Sequence, residues 1–256
     1  MGTLEFGSIL LSGLCGIALT VGAVCCSRGP VPSSGGPFVM RIKVCCIQWI
    51  EEARLAIRAG VDALGFVSEM PGGIRGIGNQ KIRRIVRTAP PTCSTVLLTS
   101  RRDPVAIVGH QKATGANTLQ LVGAVEPESV LRIRDALPGI SLIKVIHVVD
   151  SRAIEAATRF FEAADALMLE SKVELQDGVA LGGTGVTHDW VVSRQIVEAS
   201  PLPVLLAGGL SPANVFDAIR AVEPFGVDVC SGLRPNGVLD PVRLRKFVSR
   251  TTGAAA

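Results

Sequence analysis

The amino-acid sequence predicts a closed parallel (β/α)8 barrel, the TIM-barrel architecture, over residues 40–256. From Met40 onward, a short apolar run alternates eight times with an amphipathic stretch of helical period. The apolar runs are nearly continuous, which is typical of parallel strands that are buried on both faces. An open doubly wound sheet is the alternative, but it usually places a glycine-rich loop after the first strand, where this chain has Cys45-Cys46-Ile47-Gln48.

Local sequence signals mark the starts and ends of several predicted helices. Proline follows Ser211 and Asp240, so two helices are expected to begin there with a capping side chain. Gly60 and Gly139 supply the left-handed residue that commonly ends a helix. Strands are predicted at 41–45, 63–67, 94–98, 118–121, 142–148, 166–169, 204–207 and 227–230. Helices are predicted at 50–59, 79–88, 103–114, 127–137, 152–163, 190–199, 212–222 and 241–250.

Composition excludes several functional classes. The 256 residues are 48% hydrophobic, which provides a substantial core and excludes intrinsic disorder. The 26 Lys and Arg against 22 Asp and Glu give a formal net charge of +4, too small for a dedicated nucleic-acid surface. The seven cysteines have no C-x-x-C spacing and no neighbouring histidine, so no metal site is expected and a reducing compartment is the default.

The first 39 residues differ in composition from the remainder. Residues 6–27 carry no charge and are long enough for a helix to cross a hydrocarbon core of about 30 Å. Three interpretations stay open: an upstream extension of a reading frame that starts at Met40, a membrane anchor, and a cleaved signal without the usual positive residue ahead of it. We divide the chain into an extension with a Gly/Pro/Ser linker, 1–39, and a barrel, 40–256. A cytoplasmic location is expected, with membrane contact only through residues 6–27 and with the barrel on the cytoplasmic side if they form an anchor.

Candidate site residues follow from the barrel geometry, because reactive side chains come from the carboxyl ends of its strands and the loops after them. The residues with useful chemistry at those places are Cys45, Arg75, Gln120 and Glu170. Three loops in succession also carry glycines. A single such glycine is explained by a tight turn, but three neighbouring loops with exposed main-chain N–H groups suit a phosphate dianion. The expected phosphate loops contain Gly183, Thr184, Gly185, Gly208, Gly209, Ser231 and Gly232.

Cys45 and Glu170 are the expected acid–base pair. They end the first and sixth predicted strands, so they face each other across the barrel mouth. A thiolate takes a proton from carbon and a carboxylic acid gives one to oxygen when the site shifts both pKa values toward neutrality. The alternatives are that Cys45 is a small buried packing residue, as is expected of Cys46 and Cys93, and that Glu170 is a solvated loop residue.

Six segments, in order along the chain, resemble the phosphoribosylanthranilate isomerase family, of which this chain is identified as a divergent member. The opening Lys43-Val44-Cys45 is similar to the family's K-[IV]-C start, and residues 227–232 (VDVCSG) resemble the family's VDVSSG. Residues 119–121 resemble its QLHG strand, which contains Gln120. The remaining segments are 59–66, 182–190, which resembles GGTGxxFDW, and 206–215, which resembles LAGGLxPxNV.

The resemblance implies an aldose–ketose isomerase that needs no cofactor or metal. Its reaction is the Amadori rearrangement of N-(5'-phosphoribosyl)anthranilate to 1-(2-carboxyphenylamino)-1-deoxyribulose 5-phosphate. By matching positions, Cys45 is the general base at the sugar C2' and Glu170 the general acid on the ring oxygen. Arg75 is implied to hold the anthranilate carboxylate, and the glycine loops the phosphate.

Several positions depart from the family pattern. Glu170 replaces an aspartate, which makes the acid one methylene longer, and a 1 Å misplacement costs on the order of 10²-fold in rate. Cys46 replaces a glycine, Gln48 a threonine, Val122 a histidine and Arg234 a glutamate. Two alternatives therefore stay open: an isomerase of another aminosugar phosphate, and a catalytically lapsed paralogue that binds a sugar phosphate. The sequence is compatible with a monomer or a homodimer.

Overall fold

The computed structural model describes residues 39–68, 76–175, 178–181 and 189–254. Four of the expected site residues, Arg75, Gly183, Thr184 and Gly185, lie outside the described residues. The uncharged segment 6–27 lies outside them as well. In the described part of the chain, no helix has the length and apolar character to cross a membrane.

Eight parallel strands form the closed barrel that the sequence predicts. Each strand pairs with its neighbour in the ring, and β5 closes it by pairing with β6. The register between the first and last barrel strands aligns Lys43 with Asp228. The nine strands of the described residues are β1 (Arg41–Val44), β2 (Ala63–Val67), β3 (Ser94–Thr99), β4 (Thr118–Leu121), β5 (Ser141–Val148), β6 (Ala166–Leu175), β7 (Gly178–Leu181), β8 (Val204–Leu206) and β9 (Gly226–Val229).

The sixth strand departs from the prediction. The sequence predicts a strand that ends at Leu169, whereas β6 continues to Leu175 and pairs antiparallel with β7. Glu170 therefore lies inside β6, opposite His147 of β5, and does not begin a loop. The apolar run ends at Leu169, but the backbone ladder continues, because strand pairing depends on main-chain hydrogen bonds and not on apolar side chains.

The described residues form eight α-helices, which cover the outside of the barrel. Asp103 caps the third by accepting a hydrogen bond from the Ala106 N–H, and Gly115 ends it with a φ of 72°. The predicted left-handed glycines, Gly60 and Gly139, also have positive φ. The helices are α1 (Ile50–Arg58), α2 (Asn79–Val86), α3 (Pro104–Thr114), α4 (Pro127–Ala136), α5 (Arg152–Thr158), α6 (Trp190–Ala199), α7 (Val215–Val222) and α8 (Pro241–Ala254).

One of the two proline-based helix starts is confirmed. Asp240 accepts hydrogen bonds from the N–H groups of Val242 and Arg243 at the start of α8. The other is wrong: α7 begins at Val215, after a turn. In that turn, Asn214 accepts from the Ser211 N–H at 2.8 Å and donates to the Gly209 carbonyl at 3.0 Å. These bonds hold the turn against the preceding glycine loop.

Alternating side chains divide each strand between two packing layers. On β4, Leu119 and Leu121 belong to the large apolar cluster that includes helix residues. Gln120 lies between them and points the other way, level with Leu98 and Ile143, which belong to a smaller cluster in the barrel interior. The outer layer is thus continuous and apolar, whereas the interior also accepts polar side chains.

Candidate active site

Several buried polar side chains of the described residues share the barrel interior. Lys43, Gln120, Glu170 and Asp228 each lie between two residues of the outer apolar cluster or next to one, so strand alternation turns them inward. Their exposed fractions are 1%, 1%, 9% and 7%. Because charged side chains are almost never this buried without a specific partner, their placement points to chemistry inside the barrel.

A cavity opens at the carboxyl ends of the strands. The space between its walls is about 270 Å³, a figure that includes open solvent at the mouth and is not a closed volume. Four of the expected site residues line it: Glu170, Gly208, Gly209 and Ser231. Its other lining residues are Ala207, Leu210, Asp228 and Cys230. The expected acid and two of the expected phosphate loops therefore share one space.

Glu170 is positioned as a carboxylic acid and not as a carboxylate. Burial, together with the negative charges of Asp228 and Cys45, raises its pKa to about 8. The positive charge of Lys43 acts in the opposite direction and does not cancel this effect. At neutral pH the side chain therefore keeps a proton that it can donate into the cavity.

Cys45 has the opposite character. It directly follows β1 and is 4% exposed, with its Sγ 3.9 Å from the Sγ of Cys46. Hydrogen bonds from the thiols of Cys230 and Cys46, and the charge of Lys43, bring its pKa well below the usual thiol value, although burial opposes this. The thiolate is the form that acts as a base or nucleophile, so Cys45 is suited to accept a proton.

Lys43 and Asp228 form a buried ion pair across β1 and β9. The Lys43 Nζ donates to the Asp228 Oδ1 at 2.9 Å. Burial raises the pKa of Asp228 to about 6 despite this partner. Burial alone lowers the pKa of Lys43, but the charges of Asp228 and Cys45 outweigh it, so the pKa lies above its usual value.

Lys43 and Asp228 were not among the site residues predicted from the sequence. A signal was present, because each is a single charged residue between two aliphatic residues of a predicted strand: Ile42 and Val44, and Val227 and Val229. In a barrel whose outer face is covered by helices, such a residue points into the interior.

A second buried ion pair supports the backbone at Cys45. Arg234 contacts Glu52 at 2.8 Å, and its Nη2 also donates to the Cys45 carbonyl at 3.3 Å. Glu52 accepts further bonds from the N–H groups of Gln48 and Leu239. The pair therefore joins the segment after β1 to the segment after β9, whose residues Cys230 and Ser231 line the cavity.

The glycines after β8 and β9 have specific backbone reasons. Gly208 and Gly209 have φ values of 84° and 65°, a backbone conformation that residues with a Cβ rarely adopt. A Cβ at Gly208 would lie 2.3 Å from the Ser171 Oγ, and one at Gly232 would lie 2.1 Å from the Leu210 carbonyl oxygen. At Gly208 and Gly232 the backbone therefore lies too close to its neighbours to accept a side chain.

Two of the remaining expected site residues, Gln120 and Gly232, do not line the cavity. Gln120 lies in the interior, and its Oε1 is buried without a hydrogen-bond partner among the described residues. Gly232 follows Ser231 in a short 3-10 turn, Ser231–Leu233, but does not line the cavity. Within the described ranges, no group of three or more His, Cys, Asp or Glu side chains is placed to hold a metal ion.

A family model and curated relatives both place similar sequences in one enzyme family. A family model described as N-(5'phosphoribosyl)anthranilate (PRA) isomerase matches residues 42–250. N-(5'-phosphoribosyl)anthranilate isomerase 2 of Methanosarcina mazei is 40% identical over 213 residues, which cover 82% of this chain and 93% of the relative. The isomerase of Methanocella arvoryzae is 36% identical over 211 residues, with 82% and 97% covered.

Solved structures agree with these sequence relatives. The phosphoribosyl anthranilate isomerase from Thermotoga maritima is 29% identical, with a TM-score of 0.73 over 84% of this chain and 100% of that chain. A structure of phosphoribosyl anthranilate isomerase in complex with reduced 1-(o-carboxyphenylamino)-1-deoxyribulose 5-phosphate is 28% identical, with a TM-score of 0.70 and the same coverage. The chain belongs to the N-(5'-phosphoribosyl)anthranilate isomerase family.

Proposed function

We propose that this chain isomerises N-(5'-phosphoribosyl)anthranilate to 1-(2-carboxyphenylamino)-1-deoxyribulose 5-phosphate, with Glu170 as general acid and Cys45 as general base. One observation carries the assignment of these roles: a carboxyl with a raised pKa and a thiol with a lowered pKa occupy the same end of the barrel. Two groups whose environments shift their pKa values in opposite directions are the usual mark of an acid and a base.

The proposed reaction begins with opening of the sugar ring. Glu170 donates its proton to the ring oxygen, the bond from that oxygen to C1' breaks, and the nitrogen lone pair forms a C1'=N double bond. The Cys45 thiolate then removes the proton from C2', which gives an enolamine. A proton added at C1' and the loss of the 2'-hydroxyl proton then give the ketone at C2'. Two protons are added, at the ring oxygen and at C1', and two are removed, from C2' and the 2'-hydroxyl, so no oxidant or reductant is consumed.

The substrate phosphate is proposed to bind the loops after β6, β8 and β9. Its support is that Gly208, Gly209 and Ser231 line the same cavity as Glu170. Gly183, Thr184, Gly185 and Gly232 are included on the sequence pattern, and Arg75 is assigned to the anthranilate carboxylate on the same basis. Gln120 is assigned to a polar group of the substrate, because its buried Oε1 has no partner among the described side chains.

The direct experiment incubates the purified, reduced chain with freshly prepared N-(5'-phosphoribosyl)anthranilate and follows the ketose product by chromatography. We expect product formation that is abolished in Cys45→Ser and Glu170→Ala, while both variants still bind phosphate. Ribosylamine phosphates that carry other amines are assayed in parallel. Faster turnover of one of them would favour the isomerase of another aminosugar phosphate, and binding without any turnover would favour a lapsed paralogue.

We propose further that the reaction takes place in the cytoplasm, on the barrel of residues 40–256, with the chain as a monomer or homodimer. The support is that the family carries out a biosynthetic reaction and that the family model matches residues 42–250, which lie within the barrel. Mass spectrometry of the natural N-terminus tests the division at residue 39, because an upstream extension predicts a protein that begins at or near Met40.

A further inference from the structure

We propose that Cys46 and Cys230 form a reversible disulfide beside Cys45, so that small-molecule disulfides switch the activity of the site. The proposal rests on the proposed function for its effect on catalysis, but not for the formation of the disulfide itself. Both cysteines are departures from the pattern that the chain otherwise resembles, where a glycine and a serine stand at these places. The two departures are 184 positions apart in sequence and adjacent in space.

The geometry brings the two thiols together. Cys46 follows β1 and Cys230 follows β9, and these strands are neighbours in the barrel. Their sulfurs are 2.7 Å apart, so an approach of roughly 0.7 Å reaches the disulfide bond length of about 2.05 Å. All four cysteines of the described residues are free thiols, and Cys93, packed near the Val61 carbonyl, has no thiol neighbour of this kind.

The backbone at Cys46 is a second, independent observation. Its φ is 61°, in the left-handed region that favours glycine and costs other residues of order 1 kcal/mol or more. Simple packing does not require a cysteine in a position that suits glycine better. In this conformation the Cys46 side chain is directed toward Cys230, so the strained residue is the one that completes the thiol pair.

The redox chemistry balances with a small-molecule disulfide as the oxidant. Cys230, which lines the cavity, passes its proton to the neighbouring Cys45 thiolate, attacks the small disulfide as a thiolate and releases one thiol, which takes up that proton. Cys46 then attacks the Cys230 sulfur and releases the second thiol, so the protein loses two protons and two electrons and the oxidant gains them. A pairing that includes Cys45 is disfavoured, because a thiol with a low pKa is the best leaving group in disulfide exchange.

Oxidation changes the base without consuming it. In the reduced state, Cys230 and Cys46 are protonated, because each has a raised pKa, and they donate to the Cys45 thiolate. A disulfide removes both donors and leaves Cys45 less ionised at neutral pH. When the pKa of Cys45 rises to about one unit above the working pH, only about a tenth of it remains thiolate, so we expect activity at neutral pH to fall about tenfold.

The test treats the full, reduced chain with oxidised glutathione or oxidised dithiothreitol. Remaining thiols are alkylated, and the peptides are mapped by mass spectrometry without reduction. We expect one link between Cys46 and Cys230, with Cys45 alkylated, and a tenfold loss of activity that reductant restores. A link that includes Cys45, a glutathione adduct only, or no link would overturn the proposal.

Three variants make the test specific. Cys46→Gly and Cys230→Ser each remove one partner and introduce the residue that the family pattern has at that position. Each variant should therefore have the same activity before and after treatment with the oxidant. Cys93→Ser is the matched control and should respond as the unmodified chain does. If the link forms but no isomerase activity is found in any state, the proposed function fails and the disulfide stands.

Discussion

The outer and inner layers of this barrel differ in what they are built to do. Outside the strands, aliphatic side chains such as Leu119 and Leu121 pack against helices in one continuous apolar cluster. Inside, a smaller apolar cluster shares the space with Lys43, Glu170 and Asp228, whose burial opposes their charged forms. Stability therefore comes mainly from the outer layer, and the inner layer carries the residues that handle protons.

The same contrast explains why neighbouring residues on one strand have different consequences. Leu119 and Gln120 are adjacent on β4 and equally buried, but they face opposite layers. Substitution of the outward residue should affect the free energy of unfolding, and substitution of the inward residue should affect substrate binding. The following predictions separate the two layers.

The largest effect is expected at Glu170. Glu170→Gln removes the acidic proton but keeps the shape, so kcat should fall by about 10²- to 10⁴-fold. The melting temperature should stay the same or rise, because burial already keeps this carboxyl protonated at neutral pH. Steady-state kinetics and thermal unfolding measure both quantities. The exposed Glu162→Gln is the control and should change neither, and a Glu170→Gln variant with more than a tenth of the original kcat would contradict the assignment.

The second effect concerns the outer layer. Leu119→Ala should decrease the free energy of unfolding by about 2–5 kcal/mol, because a fully buried leucine leaves a cavity. Urea denaturation measures this, and kcat of the folded fraction should not change. Leu131→Ala is the matched control, since that leucine is 42% exposed and should lose no more than about 0.5 kcal/mol. A loss of kcat without unfolding in Leu119→Ala would remove the division between the layers.

The smallest effect is expected at Gln120. Gln120→Leu should raise KM about tenfold, the value of one hydrogen bond, and leave kcat nearly unchanged. Stability should not decrease, because the substitution removes a buried oxygen that has no partner among the described residues. An unchanged KM together with a lower melting temperature would show that Gln120 supports the fold and not the substrate.

The sequence was informative about the barrel and less so about its interior. Eight βα units, helix starts such as Asp240-Pro241, and left-handed glycines such as Gly60 follow from local rules that act within a few residues. The extension of β6 beyond Leu169 and its pairing with β7 could not be predicted, since the ladder depends on backbone contacts that leave no apolar pattern.

Some of the site residues were predicted from the sequence, and others were not. Cys45 and Glu170 were predicted as site residues because barrel geometry assigns chemistry to strand ends. The partners that set their pKa values were missed, although Lys43 and Asp228 each stand alone between aliphatic residues on a strand. The contact between Cys46 and Cys230 could not be foreseen at all, because it depends on the three-dimensional approach of two loops and on the left-handed conformation of Cys46.

The pH dependence of kcat/KM for the reduced chain tests the central claim most directly. If Cys45 is the base and Glu170 the acid, activity at neutral pH is already supported by the thiolate and decreases as pH rises through about 8, where Glu170 loses its proton. Above that value the account predicts a tenfold decrease for each further pH unit. An activity that instead keeps rising through pH 9, as an ordinary thiol would give, would contradict it.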